Sequence, residues 1–320
     1  FYEVDQQKAI EELREVAIDK DANDSIPATP FVHTEYRSVL GQINLLQSRS
    51  QFHICYQFSV CASASSAPTI ANCKELNKLV RTIRAQPVTL RFWPLKVPHR
   101  LVGLPDASYK NNQDKSSQRG EVIFLAEARR KGERHGKGSL IDFESKKIKQ
   151  STPSTTVAEL CSFIKCYGTC KFLQGLWCDI SGEKAPIHTR TDASNLVTTA
   201  RTTHQPEQKE TIHMIQVLRK ESNRGDIEDL SHIVTEHCLS DCLTKSSAKS
   251  DNLRKAIQTG RLTDLDVHPA FRSLTTHKAY WAQWLVHNIP EAYEIVPFLD
   301  EPMTCAITQY YMACRELSVP

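Results

Sequence analysis

The chain lacks any apolar run near the roughly 18 residues that a membrane-spanning helix needs, so no helical membrane insertion is expected. Its N-terminus lacks the charged-then-apolar pattern of a secretory leader, which leads to the expectation of an intracellular protein. Strong charge of one sign is missing as well. Lys and Arg number 40 against 37 Asp and Glu, and the resulting +3 sets up no global field to select a partner, so local charge matters more. Framework-like cysteine spacing is absent: 11 cysteines, an odd number, fit reduced thiols better than a disulfide scaffold. No Met opens the chain, and a start at Phe1 suggests a piece of something longer.

What is present divides by periodicity. Residues 1–20 read as a helix through Ile10, Leu13, Val16 and Ala17, and residues 21–31, with two prolines, read as a linker. Three more apolar series repeat at helical spacing: Tyr36 to Leu46, Ile54 to Cys61, and Ile70 to Ile83. Residues 1–87 are therefore expected to form a helical lead-in, ended by Pro87. β-Branched and aromatic residues at 88–93 open a strand-rich part. Strands are expected at 100–104, 121–128, 139–143, 187–191 and 230–235, with a long helix at 153–177 and shorter ones at 193–202 and 211–221. Short adjacent strands favour antiparallel pairing. The expected fold is α/β, a mixed five-stranded sheet flanked by helices over residues 88–249 with a helical N-terminal extension. Residues 250–320, with Tyr280, Trp281 and Trp284, are expected to form a helical tail of unknown role.

Four acids follow in order: Asp106 after Pro105, Glu159 in Val157-Ala158-Glu159-Leu160, Asp192 after Thr191, and Asp241 on an expected helix. Three sit just past a strand or at a helix start, where rigid backbone can aim a side chain at a ligand. Convergent carboxylates repel one another unless a cation offsets them, so the set points to divalent metal. Each alone has a plainer reading. Thr156-x-x-Glu159 matches a capping box, Asp192 a helix N-cap, Asp106 a turn former and Asp241 surface charge. Eight basic residues against three acids fill residues 129–149. Arg129, Arg130, Lys131, Arg134, Lys137, Lys146 and Lys147 are the phosphate-contact candidates; the plainer alternative is a solvated loop. His232 and His237 precede Asp241 and are candidates for a proton shuttle. Cys166-x3-Cys170 and His237-Cys238-x3-Cys242 have spacings that zinc could use, although i, i+4 pairs of buried thiols are the commoner case.

Taken together these residues carry a resemblance. Asp106-Ala107-Ser108-Tyr109, Phe143-x-Ser145-Lys146-Lys147, Ala158-Glu159-Leu160, Thr191-Asp192-x-Ser194 and Ser240-Asp241-Cys242-Leu243-Thr244-Lys245 resemble, in order, the motifs of the ribonuclease H domain of copia-type LTR retrotransposon polyproteins. The lead-in, with Tyr36 and Gly41, is similar to the end of the reverse transcriptase that precedes it there. Phe143 stands where the family usually has Trp, Ile148 where it has Gln, and Arg49-Ser50-Gln51 where it has Arg-Pro-Asp. The chain has no Asp-Asp dipeptide, the polymerase metal motif of the family, so it is not a complete reverse transcriptase.

The resemblance implies an RNase H-like fold and cleavage of the RNA strand of an RNA–DNA hybrid by two-metal hydrolysis, with two Mg2+ ions or Mn2+ in their place. Asp106 would bridge the metals, Glu159 and Asp192 would hold one each, and Asp241 would complete the shell of the second metal. Implied partners are the hybrid and the polymerase part of the same polyprotein, with no membrane partner. The implied location is a cytoplasmic particle or the nucleus. The alternative is a decayed or orphan fragment of the same fold that binds nucleic acid, or packs on a polymerase, without catalysis. A zinc-stabilised interaction module is a third reading.

Overall fold

The computed structural model describes residues 1–19, 21–128, 136–202 and 208–262. Strand β1 (Tyr2–Val4) and the short helix α1 (Gln7–Glu12) lead to helices α2 (Pro30–Gln47), α3 (Cys55–Ser63) and α4 (Ile70–Ala85). Thr29 caps α2 by accepting the Val32 N–H, and Pro30 takes the first helical position, where an N–H has no intrahelical partner. Thr69 and Asn72 close a capping box at the start of α4. Tyr36, Ile43, Leu76 and Val80 meet in the core of this bundle.

The helix expected over residues 1–20 is not formed as one element. Tyr2–Val4 instead pairs antiparallel with β2 (Leu90–Phe92), and Leu13 and Val16 are buried in non-helical chain. The Asn77 side chain explains the second departure. Its Oδ1 accepts the Val16 N–H at 2.7 Å and its Nδ2 donates to the Val16 carbonyl at 2.9 Å, satisfying the backbone as a neighbouring strand would.

Strands β3 (His99–Ser108), β4 (Gln118–Glu127) and β5 (Gly136–Lys147) form an antiparallel meander. Helix α5 (Thr155–Ser181) crosses over to β6 (Ile187–Thr191); helices α6 (Ser194–Arg201) and α7 (Lys209–Asn223) then precede β7 (Asp229–His232). Both β6 and β7 join in parallel, and the sheet order is β7-β6-β3-β4-β5 with one further strand beyond β5. The mixed sheet flanked by helices matches the expectation, with six strands in place of five. The sixth, β8 (Arg261–Leu262), follows helix α8 (Asp251–Thr259) and pairs with Gly136 and Lys137. Leu253, Ala256, Ile257 and Leu262 bury themselves in the main core, so the start of the expected tail packs on the sheet. Tyr280, Trp281 and Trp284 lie outside the described residues.

Asp106 was expected just past the first strand; it lies within it, paired in register with Gly120. Pro105 is tolerated in this central strand for a local reason. The Leu101 N–H points toward β6, donating to the Pro186 carbonyl, and alternation puts position 105 on the same edge. The ladder to β6 ends at Gly103, so the missing N–H of Pro105 falls where no partner strand remains.

Two apolar layers sandwich the sheet. Leu101, Ile123 and Ile187 pack against Leu160 and Phe163 of α5, while Val102, Leu104, Phe124 and Leu243 pack on the other face. Phe52 and Cys55 belong to that second layer, and the Gln51 amide holds both the N–H and the carbonyl of Val88, at 2.9 and 2.8 Å. Gly103 lets α5 approach closely, because a Cβ there would stand 2.8 Å from the Cys170 sulfur and 2.9 Å from that of Cys166. Gly103→Ala is therefore expected to cost about 1–3 kcal/mol by overpacking, read as a lower urea midpoint at unchanged m-value. An unchanged midpoint would show that α5 does not press on β3 at this point.

Candidate metal centre

Alternation along β3 puts Asp106 on the face shared by Val102 and Leu104, 1% exposed. Its carboxylate accepts the Thr244 hydroxyl, and its backbone carbonyl accepts the Ser162 hydroxyl of α5 at 2.7 Å. Glu159 comes from the first turns of α5. The capping-box reading fails there: Ser154 caps the helix by accepting the Val157 N–H at 3.3 Å, and Glu159 sits further in, 8% exposed. One carboxylate oxygen of Glu159 is buried with no hydrogen-bond partner. Asp192 is not an N-cap either; Ala193 precedes α6 without a side-chain cap. The backbone carbonyl of Asp192 accepts from His232 Nε2 at 3.1 Å, which ties the end of β7 to the end of β6.

Asp241 opens a 3-10 turn, Asp241–Leu243, rather than lying on the expected helix. Hydrogen bonds from two strands seat this turn on the sheet. Ser108 donates to the Thr244 carbonyl at 2.8 Å, Ser145 donates to the Leu243 carbonyl, and Gln118 donates to Ser145 at 2.8 Å. Gly120 leaves room for it: a Cβ would meet Thr244 Cγ2 at 2.8 Å and Leu243 Cβ at 2.9 Å. Lys245 then returns to Asp241 in an ion pair.

The four acids thus reach one place from a strand, a helix, a strand end and a turn. Their electrostatics show it. Burial, then the Asp192 charge, pushes Asp106 up to about 6, against the pull of Lys245 and Thr244. Burial, then Asp106 and Asp192, pushes Glu159 up to about 9, although the Ala107 N–H stabilises its charged form. Buried oxygen donors that repel one another, one of them unpartnered, are the chemistry of a hard divalent cation site.

Three groups at this place were not singled out as site residues from the sequence: Cys238, Thr244 and Lys245. Ligand atoms of Asp106, Asp192 and Cys238 lie within 4.8 Å of one another. Cys238 had been read as a small buried hydrophobe, and burial followed by the charges of Asp106 and Asp192 does hold its thiol far above the ordinary range. Cys166 and Cys170 lie buried on α5 against Gly103. Of the basic candidates, Arg129, Arg130, Lys131 and Arg134 lie outside the described residues. Lys146 pairs with Glu144, Lys147 with Asp114, and the Lys137 ammonium stands 5.6 Å from the Trp93 ring centre. His237 ends a separate 3-10 turn, Thr235–His237.

No protein-family model matches the chain, and no curated protein matches it. Among solved structures it is similar to the N-terminal RNase H domain of Rv2228c from Mycobacterium tuberculosis, with 12% identity over 51% of this chain and 99% of that one, at TM-score 0.34. It is similar also to LC11-RNase H1 in complex with an RNA/DNA hybrid, with 15% identity over 46% and 94%, at TM-score 0.32. A third is the prototype foamy virus protease-reverse transcriptase, with 17% identity over 52% of this chain and 22% of that one, at TM-score 0.27. Likeness at this level identifies no activity for the chain.

The raised acids have a measurable consequence for the metal-free protein. A carboxyl whose folded pKa exceeds its unfolded value favours folding below the unfolded pKa and loses that contribution as pH rises through the folded one. With Asp106 at about 6 and Glu159 at about 9, metal-free stability is expected to fall from about pH 4 to about pH 9. Thermal melts across that range should show it, Glu159→Gln should flatten the upper part, and Mg2+ should oppose the fall. A metal-free melting temperature that rises between pH 6 and 9 would contradict the clustering.

Proposed function

We propose that the chain is a divalent-cation-dependent nuclease of the ribonuclease H type, hydrolysing the RNA strand of an RNA–DNA hybrid. The observation that carries this reading is the meeting of Asp106 and Asp192, whose ligand atoms lie within 4.8 Å of one another, with Glu159 and Asp241 in electrostatic reach of Asp106 and a buried Glu159 oxygen left for a ligand. Asp106, Glu159, Asp192 and Asp241 would hold magnesium, which favours carboxylate oxygens and retains waters. When bound, such a cation activates water and stabilises the leaving oxygen of a phosphodiester.

The chain's own residues do the positioning. Thr244 fixes one oxygen of Asp106, and Ser108 and Ser145 fix the turn that bears Asp241. His232, tied to Asp192 through Nε2, is the histidine proposed to carry a proton at the site. Contacts to 2′-hydroxyls across the wide minor groove of an A-like duplex would select the RNA strand.

The ordered motifs support reading the chain as the ribonuclease H end of a copia-type polyprotein, partnered by the hybrid and by its own polymerase part, in a cytoplasmic particle or the nucleus. One observation favours the non-cleaving alternative: Lys146 and Lys147 are already paired with acids of the same chain. Cleavage decides between them. With a labelled RNA–DNA hybrid and Mg2+, scission of the RNA strand is expected, and Asp106→Asn or Glu159→Gln should lower the rate on the order of 100- to 1,000-fold, the scale of losing one charge-stabilising group. Hybrid binding without scission in the native chain would establish the relic instead.

A further inference from the structure

Helix α5 carries apolar residues on both sides, the pattern of a helix that is covered all round. Phe163, Cys166 and Cys170 are buried on the side that packs against the sheet. The other side of its second half bears Phe172, Leu176 and Ile180, which are 71%, 46% and 70% exposed. Gly168 and Gly175 are exposed with them, and a Cβ on either would meet nothing within 4 Å. Scattered apolar residues on a surface are ordinary, whereas three at successive turns of one helix, beside two open glycines, mark a contact face.

Two charges bracket this stripe. Lys165 and Asp179 are both exposed, and neither forms a salt bridge among the described residues. Each stands seven residues from Phe172, close to two helical turns, so both share its face. We propose that this face is the contact between two copies of the chain, their α5 helices packed antiparallel about a two-fold axis at Phe172. Such an axis sets Phe172 against Phe172 of the second copy, Lys165 level with Asp179 of the second copy, and Leu176 level with the open Gly168 of the second copy. Symmetry repeats each of the last two pairings, so opposite charges meet twice and a large side chain enters the space beside a glycine twice. A parallel pairing would instead set Lys165 against Lys165 and Asp179 against Asp179, and the charges therefore select the antiparallel one. Glu159 lies ~20 Å along the helix from Phe172, which keeps the acid cluster clear of the contact. The association does not depend on the nuclease reading.

The molar mass of the full chain in solution tests this. A single helix pair buries less than a standard interface, so a micromolar dimer is expected by sedimentation equilibrium over about 1 to 100 µM. Phe172→Glu should weaken it by more than about tenfold, a loss of the size found for a central aromatic anchor. Lys165→Glu and Asp179→Lys should each weaken it. The double variant keeps opposite charges level with each other and should recover the native mass. Thermal melts of all four show whether the fold is kept, which the exposure of these side chains favours. A native chain that stays monomeric throughout this range would overturn the proposal. A dimer that survives Phe172→Glu would also overturn it, by placing the contact on another surface. So would a dimer indifferent to the single charge reversals, or one that the double variant fails to restore, because the pairing that fixes the two-fold axis would then be absent.

Discussion

Like charges cannot all remain ionised in a dry site, and the arrangement of this molecule around residue 106 is governed by that constraint. Asp106 and Glu159 are almost fully buried beside Asp192, and neither can shed the field of the other. A polypeptide tolerates such a cluster only when each acid is held by a different rigid element, so that collapse or splaying of one does not relieve the rest. Here the sheet supplies Asp106, the crossover helix Glu159, the end of the neighbouring parallel strand Asp192, and a short turn Asp241. The parallel pairing of β6 with β3 is what brings the third acid alongside the first.

The turn at 240–245 is the least regular of these supports and the most heavily fastened. Its carbonyls are taken by serines from two strands, and Gly120, the residue paired with Asp106, leaves room for Leu243 and Thr244. The Ser-Lys-Lys block read in the sequence as part of a motif therefore has two separate jobs. Ser145 anchors the turn, while Lys146 and Lys147 make surface pairs of the kind that contribute little to stability.

Much of this was legible in advance because it rests on local pattern. Buried runs such as Val122 to Phe124, and the apolar period of Val157, Leu160 and Ile164, mark strand and helix whatever the tertiary context. The order of the four acids was legible for the same reason. What escaped the sequence depends on distant partners or on elements too short to have a period. The apolar spacing in residues 1–20 is helical, yet Asn77 and Leu90–Phe92 offer that chain extended-type partners. Pro105 reads as a strand end because the termination of the β6 ladder cannot be seen from the sequence. A 3-10 turn of three residues and the two-residue strand β8 carry no periodic signal. Cys238 joins the site only through the fold.

Phe52 and Cys55 are inserted into the same apolar layer as Val102, Leu104 and Phe124, and Gln51 serves Val88 as a backbone partner. The lead-in is thus part of the sheet's interior and not a leash attached to it. Sequence motifs alone would mark the four acids as a cassette starting near residue 88. Packing sets a different unit: a shorter cassette would arrive with a hole where an aromatic ring had been and an exposed Val88 backbone, and recombination that separated the two parts would pass on the acids without the body that holds them still.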